Sequence, residues 1–380
     1  MALIVAGFGC GSTARGGEAA LEGAAPEPNG TPSALDEADG KEPTSPREGA
    51  PRVDRAAASP SRSAAKEPAA SIKPTSIKPT SNEPTSNESS EGRAPSPSVS
   101  LGSPNYGSLE GAVALPRRAP GLRYNPRRKD SARYGTAEMI AALVRAAAVV
   151  HRQMPGGEVT INDLGYEAGG PIEHHGSHQS GRDVDVLFYY LDAEGEPTAS
   201  VGAPVEPNGR AMDYRDLADP SDDVPLRIDL PRTWLFVQAL IEDQEVALQR
   251  IFLVEHVRSL LLDHAERSGA PASAIERFAE MTCQPSYPHD DHFHFRFFCD
   301  PGDIPLGCRD TQPIYPWHRA ALAERDLEPQ LADGRRKKAK ITTDAEARSA
   351  AGPLHEDVIA LLDRRKAWSE RPRPGRRYCR

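Results

Sequence analysis

Aromatic residues are missing from the first quarter of this chain: between Gly9 and Asn105 there is no Phe, Trp or Tyr. Large apolar residues are nearly missing too, with only Leu21, Leu35, Val53, Ile72, Ile77 and Val99 between Leu21 and Ser100. A segment so poor in apolar surface cannot offset the entropy of ordering itself, which excludes a packed domain there and predicts disorder. No apolar run reaches the ~20 residues that a bilayer span requires. Positive charge is in the minority: 46 Lys and Arg stand against 55 Asp and Glu, a net charge of −9, which argues against nucleic acid as the main partner. Cysteine is scarce, with five in 380 residues and no Cys-x2-Cys pair, which excludes the thiolate-rich form of a closed structural zinc site. A His-Glu-x-x-His helix is also absent.

What fills the apolar-poor stretch is Pro, Ser, Ala and Glu, including the five-residue repeats that start at Ser71, Ser76 and Ser81. A Pro-Thr period this short is not a solenoid unit and suits an extended spacer. Ahead of it, Met1-Ala-Leu-Ile-Val-Ala-Gly-Phe-Gly-Cys10 resembles the end of a bacterial lipoprotein signal. That resemblance implies a lipid anchor at Cys10, with the spacer as a tether; the alternative is a frayed terminus with a chance cysteine. The expected organisation is therefore 1–10 signal end, 11–105 disordered spacer, 106–322 folded domain and 323–380 charged C-terminal extension.

Within the folded part, Thr136 is placed as an N-cap before a helix over 137–154, with Ile140, Leu143, Ala147 and Val150 on one stripe. A strand is expected over 159–164, a helix from Pro231, a short strand or helix lead-in over 251–254, and a further helix marked by Val257, Leu260, Leu261 and His264. Near the C-terminus a helix is expected over 356–368.

The eleven histidines are unevenly placed: six fall in two windows, His174, His175 and His178, then His289, His292 and His294. After His178 the run Asp183-Val-Asp-Val-Leu-Phe188 alternates as a strand, with Asp183 and Asp185 on one face and Val184 and Val186 on the other. A loop histidine that folds back over Gly181 meets a strand carboxylate, the pattern His-x6-Asp. The second window, His289-Asp-Asp-His-Phe-His-Phe-Arg-Phe, also alternates: Phe293, Phe295 and Phe297 face one way, and His292, His294 and Arg296 the other. Histidines two apart on a strand lie roughly 7 Å apart and point into the same space. A one-residue slip would bury the histidines and expose the phenylalanines, so the register is specified. Imidazoles with a carboxylate form a first-row metal's ligand set, and three protein ligands with an open fourth position suit catalytic zinc. The remaining His151, His256, His264, His318 and His355 are expected to be surface or helix-packing residues.

Ser177-His-Gln-Ser-Gly-Arg-Asp-Val-Asp185 and His289-Asp-Asp-His-Phe-His294, together with Ala168-Gly-Gly-Pro171, resemble the signature segments of the penicillin-insensitive murein endopeptidases. These are zinc peptidases related to lysostaphin-type and D-Ala-D-Ala-type enzymes and to the hedgehog domain. The resemblance implies an α+β fold, a small antiparallel sheet with flanking helices. It implies a Zn2+ ion held by His178, Asp185 and His294, with His292 catalytic beside it and His289 and His175 lining the site. It implies a Cys299–Cys308 disulfide; counting then leaves Cys283 and Cys379 as a second pair once Cys10 is set aside. Arg182 stands where the family often has an apolar residue, a change expected to affect substrate contacts.

The reaction implied is hydrolysis of D-Ala–diaminopimelate cross-links in peptidoglycan, in the periplasm, and the Cys10 resemblance implies a membrane-anchored lipoprotein. With no glutamate base available, His292 is the expected proton acceptor, and His289 or His175 would stabilise the oxyanion or relay the proton. Asp183 is expected either to orient a ligating histidine or to cap a loop amide. Three rivals remain: a D,D-carboxypeptidase or dipeptidase on the same scaffold, a non-catalytic zinc-stabilised wall-binding lipoprotein, and a hydrolase using Cys283 or Ser177.

Overall fold

The structure, a computed structural model, describes residues 98–199, 202–285, 287–337, 342–370 and 379. The signal end at Cys10 and the spacer up to residue 97 lie outside the described residues. The fold is α+β. The first elements among the described residues form a hairpin of β1 (Val99–Ser103) and β2 (Tyr106–Glu110), so regular structure is already present a few residues before Tyr106.

The central sheet contains β3 (Arg118–Ala119), β4 (Leu122–Tyr124), β5 (Val159–Ile161), β6 (Asp183–Leu187), β7 (Leu248–Phe252), β8 (Thr282–Cys283) and β9 (His292–Phe297), in the spatial order β8-β7-β9-β6-β5-β4-β3. The middle pairings β7-β9, β9-β6 and β6-β5 are antiparallel, whereas β7-β8 and β4-β5 are parallel. A smaller antiparallel sheet includes Tyr190–Leu191, Arg210–Asp213 and Val224–Ile228.

Apolar alternation fixes the two site strands. Val184 and Val186 of β6 and Phe293, Phe295 and Phe297 of β9 are all buried in the main core. Phe293 meets Phe188 edge-on at 4.9 Å between ring centroids. Each such phenylalanine contributes about 1.5–3 kcal/mol by leaving water, and a slip of β9 by one residue would forfeit all three. The opposite faces are buried as well: every residue of β6 and β9 is buried, so the polar face forms an enclosed site rather than a solvated surface.

Helix α1 (Ala137–Gln153) presents Met139, Ile140, Leu143, Ala147 and Val150 to the core, much as the 137–154 stripe predicts. Thr136 occupies its N-cap position but its side chain makes no capping bond. Helix α2 (Leu230–Ile241) begins at an N-cap that the sequence reading did not name, Asp229, whose carboxylate accepts from the Arg232 N–H at 3.2 Å and from its guanidinium at 2.6 Å. Helix α3 (Glu255–Ser268) ends at Gly269, whose φ of 71° is the left-handed stop that glycine allows without strain. Helices α4 (Ala272–Met281), α5 (Pro316–Ala323), α6 (Asp344–Ala351) and α7 (Glu356–Glu370) follow. The stretch 251–254 resolves as the end of strand β7 and the lead-in to α3.

Both disulfides, Cys299–Cys308 and Cys283–Cys379, are formed. Cys283 is therefore not a free thiol, which removes it as a nucleophile. Arg182 also departs from expectation. It is 1 % exposed, and its guanidinium donates to Ser100 Oγ, the carbonyls of Phe297 and Arg309 and the carboxylate of Asp310. It is an internal staple joining β1, β9 and the Cys299–Cys308 loop, and it is shut off from any substrate.

Candidate metal centre

The antiparallel register of β6 and β9 sets His294 directly opposite Asp185, and Arg296 opposite Asp183. Side chains opposite one another across such a pair are close enough to interact. His294 Nδ1 lies 3.3 Å from Asp185 Oδ1. The loop before β6 supplies the next group. His178 and Gly181 both adopt left-handed backbone, with φ of 67° and 73°, and the chain reverses so that His178 Nε2 stands 3.4 Å from Asp185 Oδ1. A φ of 73° at 181 is backbone that L side chains rarely adopt, so the turn favours glycine, and a Cβ there would also press on the Leu109 side chain.

Asp185 is the hub. Besides His178 and His294, His292 Nε2 lies 3.7 Å from its Oδ1 and His175 Nδ1 lies 3.6 Å from its Oδ2. His289 closes the group, its ring centroid 4.9 Å from that of His292 and 5.7 Å from that of His294. His175, His178, Asp185, His289, His292 and His294 thus fall in one cluster. Two overlapping trios bring their ligand atoms within 4.8 Å of one another: His175, His178 and Asp185, and His178, Asp183 and His294. The expected trio of His178, Asp185 and His294 spans the two and is linked through the Asp185 contacts just given.

The outer contacts orient these rings. His178 Nδ1–H donates to the Leu164 carbonyl at 2.6 Å, which leaves Nε2 as the nitrogen turned inward. Asp183 does both things expected of it: its Oδ2 accepts the His178 N–H at 3.2 Å and lies 3.3 Å from His294 Nε2, while Arg296 holds both of its oxygens at 2.8 Å. Asp291 accepts from His292 Nδ1–H at 2.6 Å, leaving Nε2 toward Asp185. Asp163 lies 3.3 Å from His175 Nε2 and also pairs with Arg128. Asp163 and Asp291 were not identified as partners in the sequence. Asp291 was discoverable from its adjacency to His292, whereas Asp163 carries no local signal. His174 points elsewhere, its Nδ1 2.8 Å from Thr342 Oγ1. His318 stacks on Phe298 at 3.6 Å and His256 bonds the Val205 carbonyl, both outside the cluster as expected.

The electrostatics separate the histidines into two groups. Burial opposes the charge of Asp185, but His178 and His292 beside it hold its carboxyl well below the usual range. Burial likewise opposes charge on His292, yet Asp291 and Asp185 outweigh it and push it up to about 9. Burial, reinforced by a neighbouring histidine in each case, drives His294 down to about 4 and His289 down to about 3. His289 is thus neutral, and because its Nδ1–H is spent on the Tyr287 carbonyl at 3.0 Å its Nε2 accepts rather than donates.

The donor set fits a divalent cation. His178 Nε2 and Asp185 Oδ1 are buried, lie 3.4 Å apart and have no hydrogen-bond partner. Unsatisfied polar atoms in the interior are costly, and a ring nitrogen converging with a carboxylate oxygen is the donor pair that an oxygen- and nitrogen-binding metal takes.

Residues 100–349 match the model of a family described as penicillin-insensitive murein endopeptidase. A protein of that name from Klebsiella pneumoniae subsp. pneumoniae is 30 % identical over 220 residues, spanning 57 % of this chain and 72 % of its own. One from Escherichia coli (strain K12) is 28 % identical over 274 residues, spanning 71 % of this chain and 88 % of its own.

Proposed function

The chain belongs to the penicillin-insensitive murein endopeptidase family, and from that premise we propose that it is a zinc-dependent endopeptidase that hydrolyses D-Ala–diaminopimelate cross-links of peptidoglycan. Family membership makes it a peptidoglycan-hydrolysing peptidase. The zinc dependence rests on one observation, the buried and hydrogen-bond-free pair of His178 Nε2 and Asp185 Oδ1 with His294 Nδ1 3.3 Å from the same oxygen. These three residues are our proposed ligands.

Bound zinc would polarise the scissile carbonyl, bring the pKa of a water to about 7 and, by compensating Asp185, leave His292 able to accept a proton. His292 takes the proton that the attacking water gives up and delivers it to the nitrogen of the leaving amine as the C–N bond breaks. Asp291, bonded to Nδ1–H, fixes the tautomer and leaves Nε2 as the exchanging atom. His289 presents an acceptor nitrogen and so suits proton relay rather than donation to an oxyanion. His175, whose side chain is 18 % exposed between Asp163 and Asp185, is the more accessible candidate for contact with the carbonyl oxygen.

A wall substrate places the enzyme on the periplasmic side. We read Cys10 as a lipid attachment point and the Pro-rich stretch that follows it as a tether. The deciding experiment measures metal content and muropeptide products for wild type and His178→Ala. Zinc near one equivalent and cleavage of cross-linked dimers, both lost in the variant, support the proposal. A variant that keeps both overturns it, and release of terminal D-Ala alone from uncross-linked stems would make the enzyme a carboxypeptidase.

A further inference from the structure

Two buried carboxylates side by side, Asp290 and Asp291, precede β9, and both are 0 % exposed. Carboxylates so placed repel one another, and a cation lies beside them. It comes from the far end of the chain, beyond the residues matched by the family: Arg365 of α7, 3 % exposed, places Nε 3.1 and 3.0 Å from the two oxygens of Asp290 and Nη2 2.7 Å from Oδ1. The same Nη2 lies 3.7 Å from Asp291 Oδ2, and the guanidinium sits over the Tyr287 ring at 5.2 Å. Asp291 in turn holds His292 at 2.6 Å, so a continuous line of contacts runs from α7 to the proton-transfer residue. The helix is itself anchored, with Val358 and Leu362 packed against Tyr214 and Leu217 and Arg364 on Glu206 at 2.9 Å.

We propose that Arg365 is a positioning residue for the hydrolysis, making the C-terminal helix part of the active site by holding Asp290 and Asp291 in the posture that aims His292. The proposal rests on the reading of His292 as the residue that moves the proton. A stability role alone does not explain the arrangement, because buried ion pairs are commonly no more stabilising than apolar side chains of the same volume. A planar, two-pronged cation does explain it, since the fork fixes the angle of Asp290 and reaches Asp291 with the same nitrogen.

The test compares Arg365→Gln and Arg365→Lys with wild type as full chains loaded with zinc, at a temperature well below melting. The readouts are kcat and KM on cross-linked muropeptides and the ring Nδ1–H proton signal of His292 in histidine-15N-labelled protein, assigned by its absence in His292→Ala. Small misplacements of a reacting group cost up to about 100-fold, so Arg365→Gln is expected to lower kcat about 10- to 100-fold with KM unchanged and to shift the His292 signal. Arg365→Lys, which keeps charge without the fork, is expected to recover part of both. A folded Arg365→Gln protein with wild-type kcat and an unmoved signal overturns the proposal, and so does failure of both variants to fold, which would make the role purely structural. Absence of turnover in wild type would instead reject the hydrolase reading, while the His292 signal would still report on Arg365.

Discussion

Asp183 and Arg296 face each other across β6 and β9 and share two hydrogen bonds of 2.8 Å, 0 % and 8 % of their side chains being exposed. Behind that pair, the same carboxylate caps the His178 amide and lies 3.3 Å from His294 Nε2. Burial works against its charge, yet Arg296 holds its carboxyl well below the usual range. Asp183→Asn is therefore expected to act twice. Leaving Arg296 buried without its anion costs about 3–5 kcal/mol of stability. Loosening two proposed ligands weakens metal binding about 10- to 100-fold. Thermal melting and zinc titration of the purified variant check both; a variant that melts and binds zinc as wild type does would refute this account.

Arg182 gives a contrasting case, because its four acceptors are all structural. Arg182→Gln is expected to lower stability by about 3–5 kcal/mol, since Asp310 loses its buried partner, while kcat and KM at low temperature stay at wild-type values. Chemical denaturation and steady-state kinetics on the same preparation separate the two. A change in KM with unaltered stability would restore a substrate-facing role.

These two residues also show where the sequence was legible. Alternation in 183–188 and 292–297 reveals both strands, their register and the clustering of His292, His294 and Asp185, because side-chain period and burial are local properties. The fold-back of His178 was legible from Gly181, a local turn signal. Arg182, Asp163 and Arg365 were not, since their partners lie far along the chain: Asp310 for Arg182, His175 and Arg128 across the loop for Asp163, and Asp290 for Arg365. Buried charge pairing between distant segments leaves no periodic trace. It made the C-terminal stretch read as a charged extension separate from the folded domain, although Arg365 is buried.

Removing the metal should separate the remaining enzyme classes. A chelator is expected to abolish hydrolysis and added Zn2+ to restore it, whereas thiol and serine reagents should have no effect. The four cysteines among the described residues are all in disulfides, and Ser177 is 4 % exposed. Because the ion binds only the folded chain, a hundredfold excess over its dissociation constant adds about 2.7 kcal/mol of stability, so chelation should also lower the melting temperature. Full activity after chelation, with zinc shown to be absent, would reject the metallopeptidase reading.

Acid and alkaline stability should diverge through Asp303, whose Oδ2 accepts the Ser100 N–H at 2.8 Å beneath β1. Burial, aided by Glu138 and Asp300, raises its carboxyl to about 6 against the pull of that N–H. The folded chain then keeps a proton that the unfolded chain releases near 3.8, so between those values the native state binds more protons and stability falls as pH rises. The contribution is fully present below the unfolded value and is lost by the time the folded carboxyl ionises. Asp303→Asn keeps an acceptor for Ser100 but cannot ionise. Its melting temperature relative to wild type is therefore expected to increase from about pH 4 to about pH 6 and to stay level above that. Melting curves across that range decide the matter: a difference that does not change with pH would show that Asp303 ionises as freely in the fold as in the unfolded chain, and one that grows toward acid would show a carboxyl lowered by folding, and either result refutes the account.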